Sequence, residues 1–367
     1  MRLLFINSIG KKKWGGGEKW MVLAASELMK KGHRVIIGCR KGSILEQRAT
    51  KEGLTVVNLS IYTDFSLRGG IQLRRVVKKE DIDLIVACQN KDVRVAGVMS
   101  RCIKGPVIIS RQGVQLIHRS NKYKWSFIPF CDGIITNTNS IKKEYDSYGW
   151  WDKDYVKVIY NGILPSNEEV VPFDYSSQIP ALNEKPFIIL STGRLARQKG
   201  FQYLIEAASK VVKQHSNVHF VIAGKGKMHS ILQKQISDAS LDERVHLIGF
   251  KENISSMLKA ADLFVLPSLY EGMPNALMEA LSLGIPAVST NVNGVSELMI
   301  DKKHGSIVPS GDAQALGNAI NNLIDDEQRL VKGQEAKAHV SDKFSVEQMV
   351  NSLEKHLRDC IDKKQLK

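Results

Sequence analysis

The sequence predicts an α/β protein built from two doubly wound domains, and three observations carry that expectation. Short β-branched runs alternate with helical stretches, the alternation stops once at a proline-rich segment, and a second alternating series follows. A chain of 367 residues is long enough for two full cores.

In the first series the runs at 3–7, 34–39, 84–88, 107–110, 133–136 and 156–160 are rich in Ile, Val and Leu and read as strands. The amphipathic stretch 18–32 and a polar helix near 43–52 supply crossovers, so the strands form a parallel sheet. Between 161 and 186 the rhythm fails, and Pro165, Pro172, Pro180 and Pro186, four of the ten prolines, mark a linker. The first domain is therefore expected over 1–165 and the second over 166–344. The second series places strands at 187–192, 218–224, 245–249, 263–267 and 286–290, with helices from Phe201, from Met228, over 254–261 and over 275–283. The tail 345–367 carries Val346, Met349, Val350, Leu353, Leu357 and Cys360 at spacings of three and four, which is one apolar face of a helix in need of a groove.

Composition excludes several classes. Hydrophobic residues at 43% and charged residues at 25% rule out disordered, collagen-like and low-complexity chains. The five cysteines are odd in number and scattered, as buried thiols in a reducing compartment would be. No stretch approaches the ~18 apolar residues of a membrane span, and the start is too short in apolar residues for a signal peptide, so a cytoplasmic protein is expected. The net charge of +14 is uneven: 29 Lys and Arg against 18 Asp and Glu precede Lys185, and 23 against 20 follow. A basic first half implies an anionic partner there.

Four clusters fall at strand-to-helix turns, where doubly wound sheets place their ligands. Gly15, Gly16, Gly17 and Glu18 lie between the first strand and first helix, letting backbone approach a ligand at a helix N-terminus. Arg194 and Lys199 leave the sheet on one loop after 187–192, a fork donor and a point charge suited to a diphosphate. Gly224 and Gly226 follow the strand 218–224 and suit close passage of a base or phosphate. In the fourth cluster Glu271, Gly272, Met273, Pro274 and Asn275 run into a helix, with Pro274 suited to its first turn. Glu279 then stands ~6 Å along the helix axis from Asn275, placed to accept from a ribose diol.

In this order and spacing the clusters resemble those of the retaining family 4 glycosyltransferases of the GT-B fold: a G-G-x-E-like loop, G-R-x4-K-G, G-x-G, and E-x7-E from Glu271 to Glu279. Asn161-Gly162-Ile163 and the run from Ala261 to Ser268 match the family's phrasing, and the likeness is strongest from Asn161 to Pro309. The resemblance implies two Rossmann-like domains facing across a cleft, with the tail helix crossing back onto the first. It implies transfer of a sugar from a nucleotide diphosphate sugar, UDP- or GDP-linked, to a saccharide or lipid-linked acceptor in bacterial lipopolysaccharide or surface polysaccharide synthesis. By the same resemblance Arg194 and Lys199 bind the donor diphosphate, Glu271 the sugar hydroxyls and Glu279 the ribose. Gly16 and Gly17 line the phosphates, while Gly224, Phe250, Met273, Pro274 and Asn275 frame the nucleotide.

One departure stands out. Many relatives carry a histidine after the fourth or fifth strand, whereas here the strand 107–110 runs into Arg111-Gln112-Gly113 and the nearest histidine is His118. Front-face transfer needs no protein base, because the leaving phosphate oxygen can take the acceptor's proton. Neither a cofactor nor a metal is expected: Asp81 with Asp83, and Asp152 with Asp154, read as a strand opening and a polar turn, and His215 with His219 straddle a helix-to-strand junction. From Val93 to Cys131 seven cations, among them Arg94, Lys104 and Arg111, meet no acid, and Trp125, Phe127 and Phe130 follow at once, a pattern suited to an anionic membrane surface on the inner face of the cell membrane. The rival readings are a nucleotide-sugar 2-epimerase of the same fold, a degenerate nucleotide-binding paralogue and a basic nucleic-acid binder; no nucleic-acid module signature is present.

Overall fold

Runs of Ile, Val, Leu and Phe without polar interruption can be buried only on both faces, and the strands they form lie inside two parallel sheets. The computed structural model describes residues 1–103, 105–114, 117–164, 170–179, 182 and 185–366. Lys104, Pro165 and Pro180, and with them the expected 165/166 boundary, lie outside the described residues.

The chain divides into two compact units, one of Met1–Gly162 with Val346–Lys367 and one of Ile163–Ser345. The first runs β1 (Arg2–Asn7), α1 (Gly16–Lys30), β2 (Arg34–Cys39), α2 (Ile44–Lys51), β3 (Thr55–Asn58), α3 (Leu67–Glu80), β4 (Leu84–Ala87), α4 (Asn90–Ile103), β5 (Val107–Gln112), α5 (Asn121–Phe127), β6 (Gly133–Thr136), α6 (Asn139–Asp146) and β7 (Val156–Val158). Its seven strands are ordered β3-β2-β1-β4-β5-β6-β7, so the winding reverses between β1 and β4.

The second unit runs β8 (Phe187–Thr192), α7 (Phe201–Gln214), β9 (Val218–Ala223), α8 (His229–Asp238), β10 (Val245–Leu247), α9 (Ile254–Lys259), β11 (Leu263–Leu266), α10 (Asn275–Ser282), β12 (Ala287–Thr290), α11 (Val295–Leu298), β13 (Gly305–Val308), α12 (Ala313–Asp325) and α13 (Arg329–Lys343). Six strands are ordered β10-β9-β8-β11-β12-β13, with the reversal between β8 and β11. Both units are Rossmann-like, as expected from the sequence. The short β3 and β13, and the helices α3, α12 and α13, extend what the sequence placed.

The last helix, α14 (Val346–Gln365), closes the first unit. Its apolar stripe of Val346, Met349, Val350, Leu353 and Leu357 packs among Leu3, Phe5, Trp20 and Leu28. Polar contacts fix its rotation, since Lys31 Nζ donates to Asn351 at 2.7 Å and Lys364 Nζ to the carbonyl of Pro106 at 2.8 Å.

Several helices are capped by side chains: Ser43 for α2, Thr138 for α6, Asn253 for α9 and Asp312 for α12. The helices that leave the candidate loops differ. α1, α7 and α10 begin after Gly15, Gly200 and Pro274, none of which caps with a side chain. Their first N–H groups are thereby kept from a side-chain cap at the sheets' carboxyl ends.

Candidate functional site

In a doubly wound sheet the crevice lies outside the carboxyl ends of the strands where the winding reverses. In the second unit that is the space above β8 and β11, and the loops leaving these strands are 193–200 and 267–274. They hold each other closely. Gly200 takes φ of +66° and a Cβ there would sit 1.9 Å from the carbonyl oxygen of Pro267, so only glycine lets the loops meet. The Gln198 carbonyl accepts from the Leu269 amide at 2.8 Å, and its side-chain amide donates to the Tyr270 carbonyl at 2.9 Å.

This staple brings Lys199 to Glu271, although 72 residues separate them. Lys199 Nζ donates to Glu271 Oε1 at 2.6 Å, and the same oxygen accepts from Ser268 Oγ at 2.7 Å. Ser268 is fully buried, and its own carbonyl accepts from Thr290 Oγ1 at 2.6 Å, which ties the turn to β12. Glu271 Oε1 is thus engaged, and the carboxylate keeps a second oxygen for hydroxyl donors. Arg194 is exposed on the same loop, with Nη2 3.5 Å from the Gln198 side-chain oxygen, and its fork is free to turn to an anion. Ser268 and Gln198 were not singled out from the sequence. Ser268 closes a noted run and Gln198 sits inside a noted loop, but the partner of Gln198 is 72 residues away and Ser268 meets Glu271 only through the turn between them.

A third loop packs against the first. The Gly193 amide donates to the Ala223 carbonyl and the Leu195 amide to the Lys225 carbonyl, each at 3.0 Å. A Cβ at Gly224 would lie 1.8 Å from the Gly193 carbonyl oxygen, and one at Gly226 2.1 Å from that of Leu195. The sequence suggested glycines that admit a ligand; their side-chain space is instead filled by protein backbone. Beyond them Phe250 presents a ring 57% exposed with Lys225 Nζ 5.8 Å from its centroid, a flat surface beside a cation. On the other side Met273 and Pro274 are buried where Gly294, at φ +79°, presses on Gly272. They lead into α10, whose Asn275 and Glu279 are both half-buried.

The first unit gathers its own polar cluster at the ends of β1 and β5. Glu18 is buried and accepts from Asn7 Nδ2 at 2.8 Å. Its other oxygen would be 3.5 Å from a Cβ at Gly15, so a carboxylate already lies near the start of α1 beside Gly16 and Gly17. Arg111, which follows the strand run read at 107–110, is buried over the Trp20 ring at 4.5 Å and donates to Asn161 Oδ1 at 2.9 Å. Burial lowers its pKa from the usual guanidinium value. Asp92, fully buried on α4, accepts from the Ser8 amide at 3.0 Å and from the Ser8 hydroxyl; burial pushes its carboxyl up to about 6.

Other expected positions are engaged elsewhere. His118 is exposed, edge-on to Tyr123 at 6.0 Å. Asp81 and Asp83 grip Arg2, with Asp83 Oδ1 accepting from Nη2 at 2.6 Å, at the opposite end of the strands from the loops. Asp152 and Asp154 are exposed in a turn. His219 stacks on His246, ring nitrogens 3.2 Å apart, and Arg244 lies against it. Among the described residues no group of three or more His, Cys, Asp or Glu is arranged to hold a metal ion. The basic segment 93–131 does not form one outward face: Arg94 is buried against Asp64 at 2.7 Å, Arg111 is buried as above, and Phe127 is core.

A family described as "Glycosyl transferases group 1" matches residues 173–359, and one described as "Glycosyltransferase Family 4" matches residues 14–166. The chain is 27% identical over 317 residues to a UDP-Gal:alpha-D-GlcNAc-diphosphoundecaprenol alpha-1,3-galactosyltransferase of Escherichia coli, covering 81% of this chain and 80% of that protein. It is also 27% identical to the lipopolysaccharide core biosynthesis glycosyltransferase LpsE of Rhizobium meliloti, covering 86% and 87% of the two chains. Among solved structures, Anabaena HepE in complex with UDP-glucose superposes with a TM-score of 0.84 at 21% identity, covering 98% of this chain and all of that one.

Proposed function

Because the chain belongs to the glycosyl transferases group 1 family, we propose that this glycosyltransferase retains anomeric configuration, needs no metal, and moves a hexose from a UDP sugar to a lipid-linked saccharide of a bacterial surface polymer. The observation that carries the reading is the Lys199–Glu271 pair at 2.6 Å, with Arg194 on the same loop. Lys199 has three N–H donors and spends one on Glu271, so it can bridge that carboxylate to a phosphate oxygen. The bridge keeps Glu271 from repelling the diphosphate while its free oxygen orients the sugar hydroxyls.

The chemistry is electrostatic. The bond from sugar C1 to the diphosphate oxygen breaks, and Arg194 and Lys199 stabilise the charge left on that oxygen. The acceptor oxygen bonds C1 from the same face, and its proton passes to the departing phosphate oxygen. Two cations thus take the part a divalent ion plays in other transferases. Glu279, one turn into α10, accepts from the ribose, and Phe250 offers a stacking surface for the base. UDP is preferred over GDP because UDP is the nucleotide in the names of the Escherichia coli and Anabaena relatives. The acceptor named for the former is linked to diphosphoundecaprenol, which supports a lipid-linked acceptor and a peripheral place on the inner face of the membrane.

Thermal-shift titration with UDP, GDP, ADP and CMP, with and without EDTA, tests this reading. A nucleotide at 100 times its Kd adds ~2.7 kcal/mol and a shift of several degrees. UDP is expected to stabilise, unaffected by EDTA, with the shift lost in Glu279→Ala; no shift with any nucleotide overturns the donor assignment.

A further inference from the structure

An apolar groove of about 360 Å³ runs between α3 and α4, lined by Phe65, Leu67, Ile71, Val95, Val98 and Met99. Phe65 is 68% and Leu67 79% exposed, and Ile71 and Val98 are also open to solvent. A contiguous apolar patch of this kind marks an interaction surface rather than the scatter of single apolar residues that any protein shows. The amphipathic face of α14 in this unit is, by contrast, already covered by the core.

Charge says what covers the groove. Leu67, Ile71, Arg74 and Lys78 follow at four, three and four residues, one stripe of α3 that is apolar at its start and cationic at its end. Arg68, Arg75 and Lys79 flank the stripe, and all five cations are exposed. The acids nearby are already engaged: Glu80, the single acid of α3, pairs with Arg34 and, at 3.9 Å, with the flanking Lys79, and Asp64 pairs with Arg94. Apolar side chains beside an uncompensated basic stripe match a bilayer, whose acyl boundary takes the first and whose anionic headgroups take the second.

We propose that the groove between α3 and α4, with the basic stripe of α3, docks the enzyme on an anionic lipid bilayer. The proposal rests on the reading of the acceptor as lipid-linked; of the segment 93–131 it keeps only the part on α4, and it takes its cations from α3. Cys102 stands on the groove wall and is the one exposed cysteine of the five, so its alkylation reports occupancy.

The test is flotation of the full chain with vesicles of phosphatidylcholine, alone or with phosphatidylglycerol, alongside the rate of Cys102 alkylation by a water-soluble maleimide. Expected are co-flotation with the anionic vesicles only, weakening with salt, and slower alkylation of Cys102 in their presence. Phe65→Ser with Ile71→Ser, and separately Arg74→Glu with Lys78→Glu, should each reduce binding by on the order of tenfold or more. Equal partition into neutral and anionic vesicles, no binding at all, or variants that bind as the parent does would overturn the proposal. Protection of Cys102 that grows with protein concentration without vesicles would assign the groove to a second copy of the chain and overturn it too. The exchanged side chains are exposed, so the UDP thermal shift should persist in every variant. Absence of vesicle binding by the parent chain with its UDP shift intact sinks the docking surface alone, whereas absence of the shift in the parent sinks the donor reading.

Discussion

Lys199 and Glu271 form a pair that is only partly shielded from water, with side-chain exposures of 21% and 9%. On the proposed donor site, removing the lysine therefore has two costs, a lost phosphate donor and a carboxylate left facing the diphosphate. Lys199→Ala should lower kcat/KM by at least ~10²-fold, the scale of one preorganised donor at ~2.7–4 kcal/mol. Arg194→Ala should cost less, because its exposed fork must first be ordered by the ligand. Steady-state kinetics on the two purified variants check the order, and near-parental turnover in Lys199→Ala would refute the assignment. Asp92 is the other residue with a readable consequence. Its folded-state pKa is raised to about 6, so its contribution to stability is fully present below the unfolded carboxyl value near ~3.9 and lost as pH rises through about 6. Asp92→Asn removes that loss. The melting temperature of the variant relative to the parent should climb between pH 5 and 7 (~2 kcal/mol at most), and a pH-independent gap would contradict it.

The strands were legible because burial on both faces leaves an uninterrupted apolar signature, as in LIVA of β4 and LFVL of β11. Helix α3 was harder to read: two glycines in its first turn and five cations obscure a buried stripe as short as Leu73 and Val77. The loops show the same division. The charged members, Arg194, Lys199, Glu271 and Glu279, can be singled out from their place at strand-to-helix turns and from the resemblance of their spacing to the family's motifs. What holds them in place could not be read, since Gln198 and Gly200 act through neighbours roughly 70 residues away in sequence and Ser268 is tied to Thr290 on β12. Gly200→Ala tests how much the staple matters. A Cβ meeting the Pro267 carbonyl in a left-handed conformation should destabilise by ~2 kcal/mol or more, read as a lower urea midpoint with an unchanged slope. A midpoint equal to the parent's would show that the loops part without cost.

At the scale of the whole chain, the two units are unequal as folding problems. Residues 163–345 are continuous and contain their own core and the Lys199–Glu271 pair. That fragment is expected to unfold in one cooperative transition and to keep its response to UDP, measured by circular dichroism and thermal shift; a molten fragment would contradict it. The fragment 1–162 lacks α14 and leaves Leu3, Phe5 and Leu28 without their cover, so it is expected not to reach a cooperative fold until 346–367 is supplied. The basic excess of the first half, which the sequence displays openly, has its structural counterpart in the stripe on α3.

The return of α14 also sets a timetable for biosynthesis. The ribosome releases the first unit's strands early but its final helix last, so that unit must wait while 163–345 is made, on the order of 10–40 s at about 5–20 residues per second. The second unit, uninterrupted and paired at its entry and exit through Ile163 and Ser345, can finish first. Nascent chains stalled before α14 would display an open apolar seam, the form most in need of a chaperone and the one a truncating mutation would leave permanently in the cell.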